Sequence, residues 1–267
     1  MTKHSGSKHL KRLNAPKTYP IARKLGGEFT VSSNPGPHPA DRCIPVGVVL
    51  REVLGYARDL REVKTLLRQR KLKVDRRTVT DHKFPVGLMD VITVENEHYR
   101  ILPYNGYMVL HQISEEESHS KILAIIGKRD WGTNVLQLSL EDGRNIHLDV
   151  EDKEERQRII ENYEVSDSLR ISLPEQDILD HFKLERGNYC LIVDGKHMGR
   201  HGTVKKIEKT YGPKGASTIT IESEGEEVTS AIEYTLIIGE DEPVYSLPST
   251  LKEIKLRSKV PKIGGER

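Results

Sequence analysis

The ten positions from Arg68 to Arg77 read RQRKLKVDRR and contain six basic residues against a single acid. A short helix is predicted just before them, because Asp59 and Glu62 have the spacing of an N-terminal capping box. A basic helix that runs into a basic turn makes a compact electropositive surface. Its natural partner is a phosphate backbone, because each Lys or Arg that neutralises a phosphate also releases condensed counterions.

The predicted helix has two distinct faces. Apolar residues recur at helical spacing on the face that packs on a core, and these are Leu60, Val63, Leu66 and Leu67. Basic residues recur every three to four positions on another face, and these are Arg61, Lys64, Arg68 and Lys71. The alternative interpretation is a solvated helix face followed by a charged hairpin, without a nucleic-acid partner.

Another helix is predicted upstream, over residues 44–57. Pro45 lies near its start, where proline is favoured, and the apolar positions that fit an amphipathic helix are Val49, Val53 and Leu54. Small strands are predicted near 72–74 and 79–80, and a further strand within 85–94 after a Pro-Gly turn. Two short helices with a few strands make a unit of about 55 residues, which is a common size for an RNA-binding domain.

The formal net charge of +2 hides an uneven distribution of charge along the chain. Residues 1–93 contain 19 Lys/Arg and 8 Asp/Glu, whereas residues 94–240 contain 17 and 28. The tail, 241–267, contains 6 and 4. This pattern indicates nucleic acid bound mainly through one end of the molecule.

Length and composition limit the classes of protein to consider. The 267 residues should form two or three domains, and 36% hydrophobic residues are too many for full disorder. No apolar run approaches the roughly 18 residues that span a bilayer, and the N-terminus lacks the apolar segment of a secretory signal. Cys43 and Cys190 have neither metal-ligand spacing nor a disulfide framework. Both are expected to be buried thiols in a reducing cytosol.

Residues 1–40 contain seven Lys/Arg and one acid. Several prolines and glycines prevent long regular elements there. The segment is either a disordered tail or a basic arm that becomes ordered against RNA. The same two alternatives apply to the basic tail 241–267.

Residues 95–172 have the pattern of a β domain. Short runs rich in β-branched and aliphatic residues alternate with turns, among them Asn105-Gly106 and Asp142-Gly143, which favour hairpins. One helix is predicted over 151–163, where acidic residues lie at the start, as the helix dipole prefers. The section is acidic, so its surface is expected to face solvent or protein.

Residues 187–207 carry a second informative pattern, an apolar strand through 191–193 and a second strand through Val204 and Ile207. The turn between them has glycines at 195, 199 and 202, which allow the backbone to approach a ligand closely. The side chains around it are Lys196, His197, Arg200 and His201. The i, i+4 spacing of the histidines would suit zinc on a helix, but the glycines argue against a helix and no carboxylate lies between them. No metal site is therefore predicted.

Taken together, the chain from about Lys8 to Leu247 resembles the archaeal and eukaryotic ribosomal protein S four-e (S4e) family of the small subunit. The strings that carry the resemblance are KHLKRLNAP (8–16), GPH (36–38), REVK (61–64), KVD (73–75), TD (80–81), PVGLMDVI (85–92), YRIL (99–102), DGR (142–144), GRHGT (199–203) and SLP (246–248). The turn after Val74 reads Asp-Arg-Arg, where S-four-like domains generally have a glycine. The loop reads DGKHMGRHG, where eukaryotic members tend to have two adjacent glycines and an asparagine.

The resemblance implies an α+β, mostly β fold. Its predicted divisions are a basic N-terminal extension (1–40), an S-four-like RNA-binding domain (41–94), a central β domain (95–172), a KOW domain of SH3-like barrel type (173–240) and a C-terminal extension (241–267). The implied role is structural: the protein binds small-subunit ribosomal RNA during assembly and stays in the mature, cytoplasmic particle as one copy beside neighbouring ribosomal proteins. Neither a catalytic residue, a cofactor nor a membrane partner is expected.

The predicted RNA contacts are basic and histidine side chains of the arm, the helix-and-turn region and the glycine loop. They are Lys3, Lys8, His9, Lys11, Arg12, Lys17, Arg51, Arg61, Lys64, Arg68, Arg70, Lys71, Lys73, Arg76, Arg77, Lys83, Lys196, His197, Arg200, His201, Lys205 and Lys206.

Two other classes of function compete with this one. An RNA-modifying enzyme could use the S-four-like module to reach RNA, but no nucleotide-binding glycine loop, HExxH or CxxC string appears. A transcription factor could use a KOW domain on polymerase, but that leaves the S-four-like module and the basic arm unexplained.

Overall fold

The computed structural model describes residues 9–24, 27–130, 135–150, 153–210, 217–223 and 225–248. Within these residues the chain is mostly β, with three five-stranded and two two-stranded antiparallel sheets and a few short helices. The predicted α+β, mostly β fold class is confirmed. The predicted contacts Lys3 and Lys8 and the tail from residue 249 onward lie outside the described residues.

The N-terminal residues 9–24 and 27–40 are folded against the rest of the chain. Their elements are β1 (Leu10–Lys11), a 3-10 turn (Arg12–Asn14) and β2 (Phe29–Thr30), which pairs with β1. Tyr19 and Ile21 are buried in the main apolar core. Apolar residues between its basic ones therefore anchor the described part to the core, and its contact with RNA stays a prediction.

The first module contains both predicted helices. Its elements are β3 (Cys43–Pro45), α1 (Val46–Val48) with a π-helical turn (Val49–Val53), α2 (Leu60–Arg68), β4 (Leu72–Val74), β5 (Arg77–Thr78), β6 (Pro85–Gly87) and β7 (Val91–Val94). The first helix ends earlier than the predicted 44–57, because Gly55 turns the chain with a φ of 74°. In α2, Val63 and Leu67 are fully buried and Leu60 and Leu66 half-buried, as predicted.

Two predictions about the strands of this module are wrong. The second small strand lies at 77–78 and not at 79–80, because the turn before it has only two residues, Asp75 and Arg76. Residues 85–87 form no Pro-Gly turn, because β6 pairs with β3 in a two-stranded sheet. The strand over 91–94 is confirmed.

The sheet of the first module continues into the following hairpin. The hairpin strands are β8 (Glu97–Tyr104) and β9 (Tyr107–Ile113), and the sheet order is β5-β4-β7-β8-β9. The turn at Asn105-Gly106 is confirmed, with φ values of 46° and 79° at its two residues. One sheet thus spans 72–113, across residue 94, and the division of the chain into domains stays a prediction.

The central sheet has the order β12-β11-β10-β13-β14. Its strands are β10 (Ser120–Asp130), β11 (Val135–Leu140), β12 (Asn145–Asp149), β13 (Ser168–Ser172) and β14 (Ile178–Phe182), and α3 (Lys153–Asn162) connects β12 to β13. Asp142-Gly143 forms the turn between β11 and β12, as predicted. Alternating residues of β10 and β11 build a second, separate apolar core, which includes Leu123, Leu136 and Leu138.

The C-terminal sheet has the order β18-β17-β16-β15-β19. Its strands are β15 (Tyr189–Ile192), β16 (His201–Glu208), β17 (Thr218–Ser223), β18 (Glu226–Ala231) and β19 (Thr235–Gly239). The chain then runs back over the hairpin and β10, where Tyr245 is buried. The main apolar core is continuous from the first module into this sheet.

Candidate nucleic-acid interface and the buried charge cluster beside it

Helix α2 presents its basic face to solvent. The Asp59 carboxylate accepts hydrogen bonds from the backbone N–H groups of Arg61 (2.7 Å) and Glu62 (2.9 Å). These backbone hydrogen bonds hold the pKa of Asp59 below its ordinary value, although the slight burial of the group opposes them. Glu62 accepts from the N–H of Arg58 (2.7 Å), the residue before the N-cap. The predicted N-cap at Asp59 is therefore confirmed, while the return hydrogen bond of the capping box goes to Arg58 and not to Asp59.

The turn between β4 and β5 has left-handed backbone at two residues that are not glycine. Asp75 has a φ of 47° and Arg76 a φ of 63°. Such a turn matches the twist of a two-residue hairpin, but side chains other than Asn, Asp and Gly rarely adopt it. Lys73 and Arg77, which lie on either side of this turn, are both exposed.

Six exposed cations of this region have no acidic side chain within 4 Å among the described residues, and together they are called the α2–β5 surface. They are Arg61, Lys64, Arg68, Arg70, Lys73 and Arg77. Other predicted contacts do have acidic partners. Lys71 pairs with Glu95 at 2.7 Å and Lys11 with Glu28 at 2.8 Å.

The structure separates three predicted contacts from the α2–β5 surface. Arg12 is only 4% exposed, and its guanidinium pairs with Glu52 at 2.6 Å, so it is part of the core. Arg51 pairs with the same Glu52 at 2.9 Å. Arg76 bonds the Nε2 atom of His119 at 2.5 Å. These side chains therefore join parts of the chain to one another.

The remaining predicted RNA contacts within residues 1–93 do not lie together on one surface. His9 lies against the ring of Phe29, with the ring centroids 5.5 Å apart, and Lys17 is exposed near it in the chain. Lys83 is half-buried after β5. None of the three lies on α2 or the β4–β5 hairpin, so the predicted arm and the α2–β5 surface are two separate basic areas.

A buried charge cluster lies directly beneath the β4–β5 turn. The Lys121 ammonium, on β10, contacts the carboxylates of Asp75 (3.1 Å), Asp90 (2.5 Å) and Asp142 (3.0 Å). All four side chains are at most 6% exposed. Arg144 bonds Asp75 (2.5 Å) and Asp142 (2.8 Å) at the edge of the cluster.

The charged groups of this Lys121 cluster stabilise one another in their ionised forms. Burial by itself lowers the pKa of Lys121, but the three aspartates raise it above its ordinary value. Burial by itself raises the pKa of Asp90, but Lys121 and His38, whose Nε2 lies 2.9 Å away, lower it well below its ordinary value. Asp90 also accepts from the N–H of Gly87 at 2.8 Å.

With His38, the cluster joins five separate segments of the chain, and sequence reasoning missed it. His38, Asp75, Asp90 and Asp142 lie in the strings GPH, KVD, PVGLMDVI and DGR, through which the family resemblance was seen. These strings could have pointed to a shared site. Lys121 itself lies in the run SKILAIIG, whose pattern predicts a strand and does not indicate a buried charged site.

A second buried cation fixes the C-terminal segment. Arg100, on β8, is fully buried, and its guanidinium lies 3.7 Å from the ring centroid of Tyr245. Its Nη2 donates to the carbonyl oxygens of Glu117 (2.7 Å) and Ser120 (3.0 Å). The Tyr245 hydroxyl donates to the Ser120 hydroxyl at 2.8 Å, so residues 243–248 pack as a strap across the hairpin and β10.

The glycine loop between β15 and β16 is the third basic area. Lys196 is exposed and has no acidic partner within 4 Å in the described chain, whereas Arg200 pairs with Glu226 at 2.8 Å. His201 shares a hydrogen bond of 2.8 Å with the Tyr189 hydroxyl. On β16, Lys205 pairs with Glu222 and Glu227 at 3.2 Å, and Lys206 with Glu208 at 2.5 Å.

The loop and the β8–β9 turn form the walls of a cleft of about 720 Å³. Its lining includes Lys196, His197, Arg200 and His201 from the loop. The two histidines thus face a cleft with the cations. No group of three His, Cys, Asp or Glu side chains that could hold a metal ion occurs among the described residues.

The two cysteines are buried free thiols, as predicted. Burial raises the pKa of the Cys43 thiol, and burial raises that of Cys190 to about 12. Neither is poised as a nucleophile, because the thiolate is disfavoured. Among the described helices, none has the length and apolar character needed to cross a bilayer.

Comparison with known proteins now gives the family. The model of the ribosomal family S4e matches residues 95–178, and the RS4NT domain model matches residues 5–41. The small ribosomal subunit protein eS4 of Aeropyrum pernix is 39% identical over 251 residues, which cover 93% of this chain and 98% of the relative. The eS4 protein of Hyperthermus butylicus is 38% identical, with the same coverage of both chains.

The chain belongs to the S4e family. Among solved structures, it is similar to the crystal structure of the 30S ribosomal protein S4e from Thermoplasma acidophilum, with a TM-score of 0.62 and 29% identity. That similarity covers 75% of this chain and 96% of the other. In this S4e chain, the first residue of the β4–β5 turn is Asp75, and its carboxylate joins the Lys121 cluster, which a glycine could not do.

Proposed function

We propose that the chain is a structural constituent of the small ribosomal subunit, where it binds ribosomal RNA. The observation that carries this proposal is the α2–β5 surface, six exposed cations on a rigid helix and hairpin without acidic partners in the described chain. The S4e relatives, which are named as small-subunit proteins, support the same role.

The chemistry of these cations favours a phosphate backbone. A Lys or Arg that is already paired must give up its carboxylate to meet a phosphate, whereas an unpaired one exchanges only water and counterions. The α2–β5 surface therefore gains more from RNA than the paired lysines of β16 do. Aromatic residues make up only 5% of the chain, so most contacts are expected to recognise RNA backbone and shape.

The cellular setting of the chain and its partners follow from this structural role. The protein acts as one copy in the cytoplasmic ribosome, with ribosomal RNA on the α2–β5 surface and neighbouring small-subunit proteins on other faces. Exposed acidic side chains such as Glu115 and Glu116 lie on the connection after β9 and suit a protein or solvent environment.

Sucrose-gradient sedimentation of a cell lysate at moderate salt tests the proposal. The protein should be confined to the small-subunit, whole-ribosome and polysome fractions. A protein found mostly at the top of the gradient would contradict the structural role. It would favour an RNA-modifying enzyme or a transcription factor instead.

Binding to ribosomal RNA should depend steeply on salt. Each phosphate contact contributes a slope of about −0.7 to −0.9 to a plot of log affinity against log salt. Several contacts from the α2–β5 surface should therefore give a slope steeper than about −2. A slope near zero in a filter-binding titration would show that phosphates are not the partner of this surface.

A further inference from the structure

We propose that the cleft between the β8–β9 turn and the β15–β16 loop binds one unpaired nucleotide of RNA. The base would lie against Tyr104 and the phosphate against Lys196, the cation of the loop that has no acidic partner within 4 Å in the described chain. This inference rests on the proposed function, because it states which part of a bound RNA contacts the glycine loop between β15 and β16.

The charge of the lining separates this cleft from two others. A cleft of about 520 Å³ beside the β4–β5 hairpin has four aspartates in its lining against two cations, Arg77 and Arg144. A cleft of about 390 Å³ near α2 has Glu95 and Glu97 against Lys71. The cleft at the glycine loop has no carboxylate in its lining, and it has Lys196, Arg200 and two histidines. Of the three, it is the one that suits an anionic ligand.

The loop that carries the cations is held in one shape. At its start, Asp194 accepts from the N–H of Gly195 (2.6 Å) and pairs with Arg42 (2.7 Å). Met198 is buried and anchors the middle, and the N–H of Gly199 donates to the carbonyl of Ile192 at 2.8 Å. Little ordering is therefore needed when a ligand arrives, which favours binding.

The opposite wall is the β8–β9 turn. Tyr104 packs on the buried Val109, so its ring has a fixed support. The loop approaches the turn so closely that a Cβ atom on Gly199 would lie 2.8 Å from the Tyr104 Cα atom and 2.9 Å from the Asn105 nitrogen. Only glycine, here with a φ of 94°, permits this contact, and the two walls are thus fixed at one spacing.

The size and the side chains of the cleft fit a nucleotide. Its volume of about 720 Å³ lies within the range of roughly 300–1,000 Å³ that is typical of small-ligand sites. A cleft of this size is too small to hold an RNA duplex. An aromatic ring beside cations is the arrangement with which proteins bind single-stranded RNA, because every base has a face that can stack. Asn105, Ser223 and His197 supply polar groups for base edges or the 2′-hydroxyl.

Titration of the full chain with a short labelled single-stranded RNA of mixed sequence, and with a duplex of the same sequence, tests the proposal. Tyr104→Leu should weaken single-strand binding at least about fivefold and leave duplex binding unchanged. Lys196→Ala should lower the salt slope for the single strand by about 0.7. The matched controls are Tyr107→Leu, which removes the other tyrosine that packs on Val109, and Lys183→Ala, an exposed lysine elsewhere.

Three results would overturn the inference: equal effects of Tyr104→Leu and Tyr107→Leu, an equal loss of duplex binding, or displacement of the single strand by free AMP or UMP as effectively as by RNA. The last result would make the site one for free mononucleotides. Both cleft variants should still sediment with small subunits, because the α2–β5 surface is intact. Loss of wild-type sedimentation would instead contradict the proposed function itself.

Discussion

The α2–β5 surface and the Lys121 cluster are neighbours with opposite electrostatics. Asp75 belongs to the cluster, and Arg77, two positions later, belongs to the surface. The cations of the surface are exposed and without acidic partners in the described chain, whereas the Lys121 side chain is 1% exposed and contacts three aspartates. Charge density along the sequence therefore does not separate a binding cation from a structural one; burial and pairing do.

The first prediction concerns a substitution that removes the central cation of the Lys121 cluster. Lys121→Met should lower the free energy of unfolding by about 3–5 kcal/mol, because it leaves three buried aspartates without their shared cation. Urea denaturation of both proteins measures the loss. The matched control is Lys73→Met on the exposed side of β4, which should change stability by less than about 0.5 kcal/mol. Equal losses in the two variants would show that the cluster has no special role in stability.

The second prediction concerns acid. The pKa of Asp90 is lowered in the folded protein, so the unfolded chain takes up the proton first, near pH 3.9. The stabilisation from this carboxylate is therefore present above about pH 5 and is lost as the pH falls toward the folded-state pKa.

Asp90→Asn removes this titration. The difference in unfolding free energy between the wild type and Asp90→Asn should be largest above about pH 5 and shrink by about 1 kcal/mol by about pH 3. Urea midpoints across that pH range measure it. A difference that stays constant with pH would mean that Asp90 titrates alike in the folded and unfolded chains.

The third prediction tests the surface. Replacing Arg68 and Arg77 by Glu should weaken binding to ribosomal RNA at least about tenfold and reduce the salt slope by about 1.4–1.8, because two phosphate contacts are lost. Stability should stay almost unchanged, since both side chains are exposed. The comparison variant is Lys205→Glu with Lys206→Glu, whose lysines already have glutamate partners, and it should lose less affinity. A larger loss in the comparison variant would move the main interface to β16.

Local sequence patterns predicted the parts of this molecule that depend on local physics. The cap at Asp59, the buried positions of α2 and the Asn105-Gly106 turn are confirmed. The fold class, which the family resemblance implied, is confirmed as well. The predicted position of β5 was wrong because Asp75 and Arg76 both adopt left-handed backbone. Asp tolerates that conformation, but Arg rarely adopts it, so the sequence did not indicate a two-residue turn. The structural cost of that backbone is offset by contacts of Asp75 that are remote in the chain.

The Lys121 cluster could not be predicted, because its partners are far apart in the sequence. Lys121 is 46 residues from Asp75, 31 from Asp90 and 21 from Asp142. Similarly, Arg12 looked like any other cation of a basic arm, and only its partner 40 residues away, Glu52, makes it part of the core. Pairing of this kind depends on tertiary contacts, and no single local pattern records it.

The smallest expected effect on RNA binding is that of removing the N-terminal cap of α2. The cap stabilises the helix that carries part of the α2–β5 surface, and its own side chain is not expected to contact RNA. Asp59→Ala removes the acceptor for the N–H groups of Arg61 and Glu62, and should lower the thermal midpoint by roughly 2–4 °C. Asp59→Asn keeps a capping oxygen and should retain most of the midpoint. Binding to ribosomal RNA below the transition should weaken less in Asp59→Ala than in the Arg68 and Arg77 variant. If Asp59→Ala weakened binding as much as that charge reversal, the helix would need its cap to hold the surface, and the cations alone would not account for the affinity.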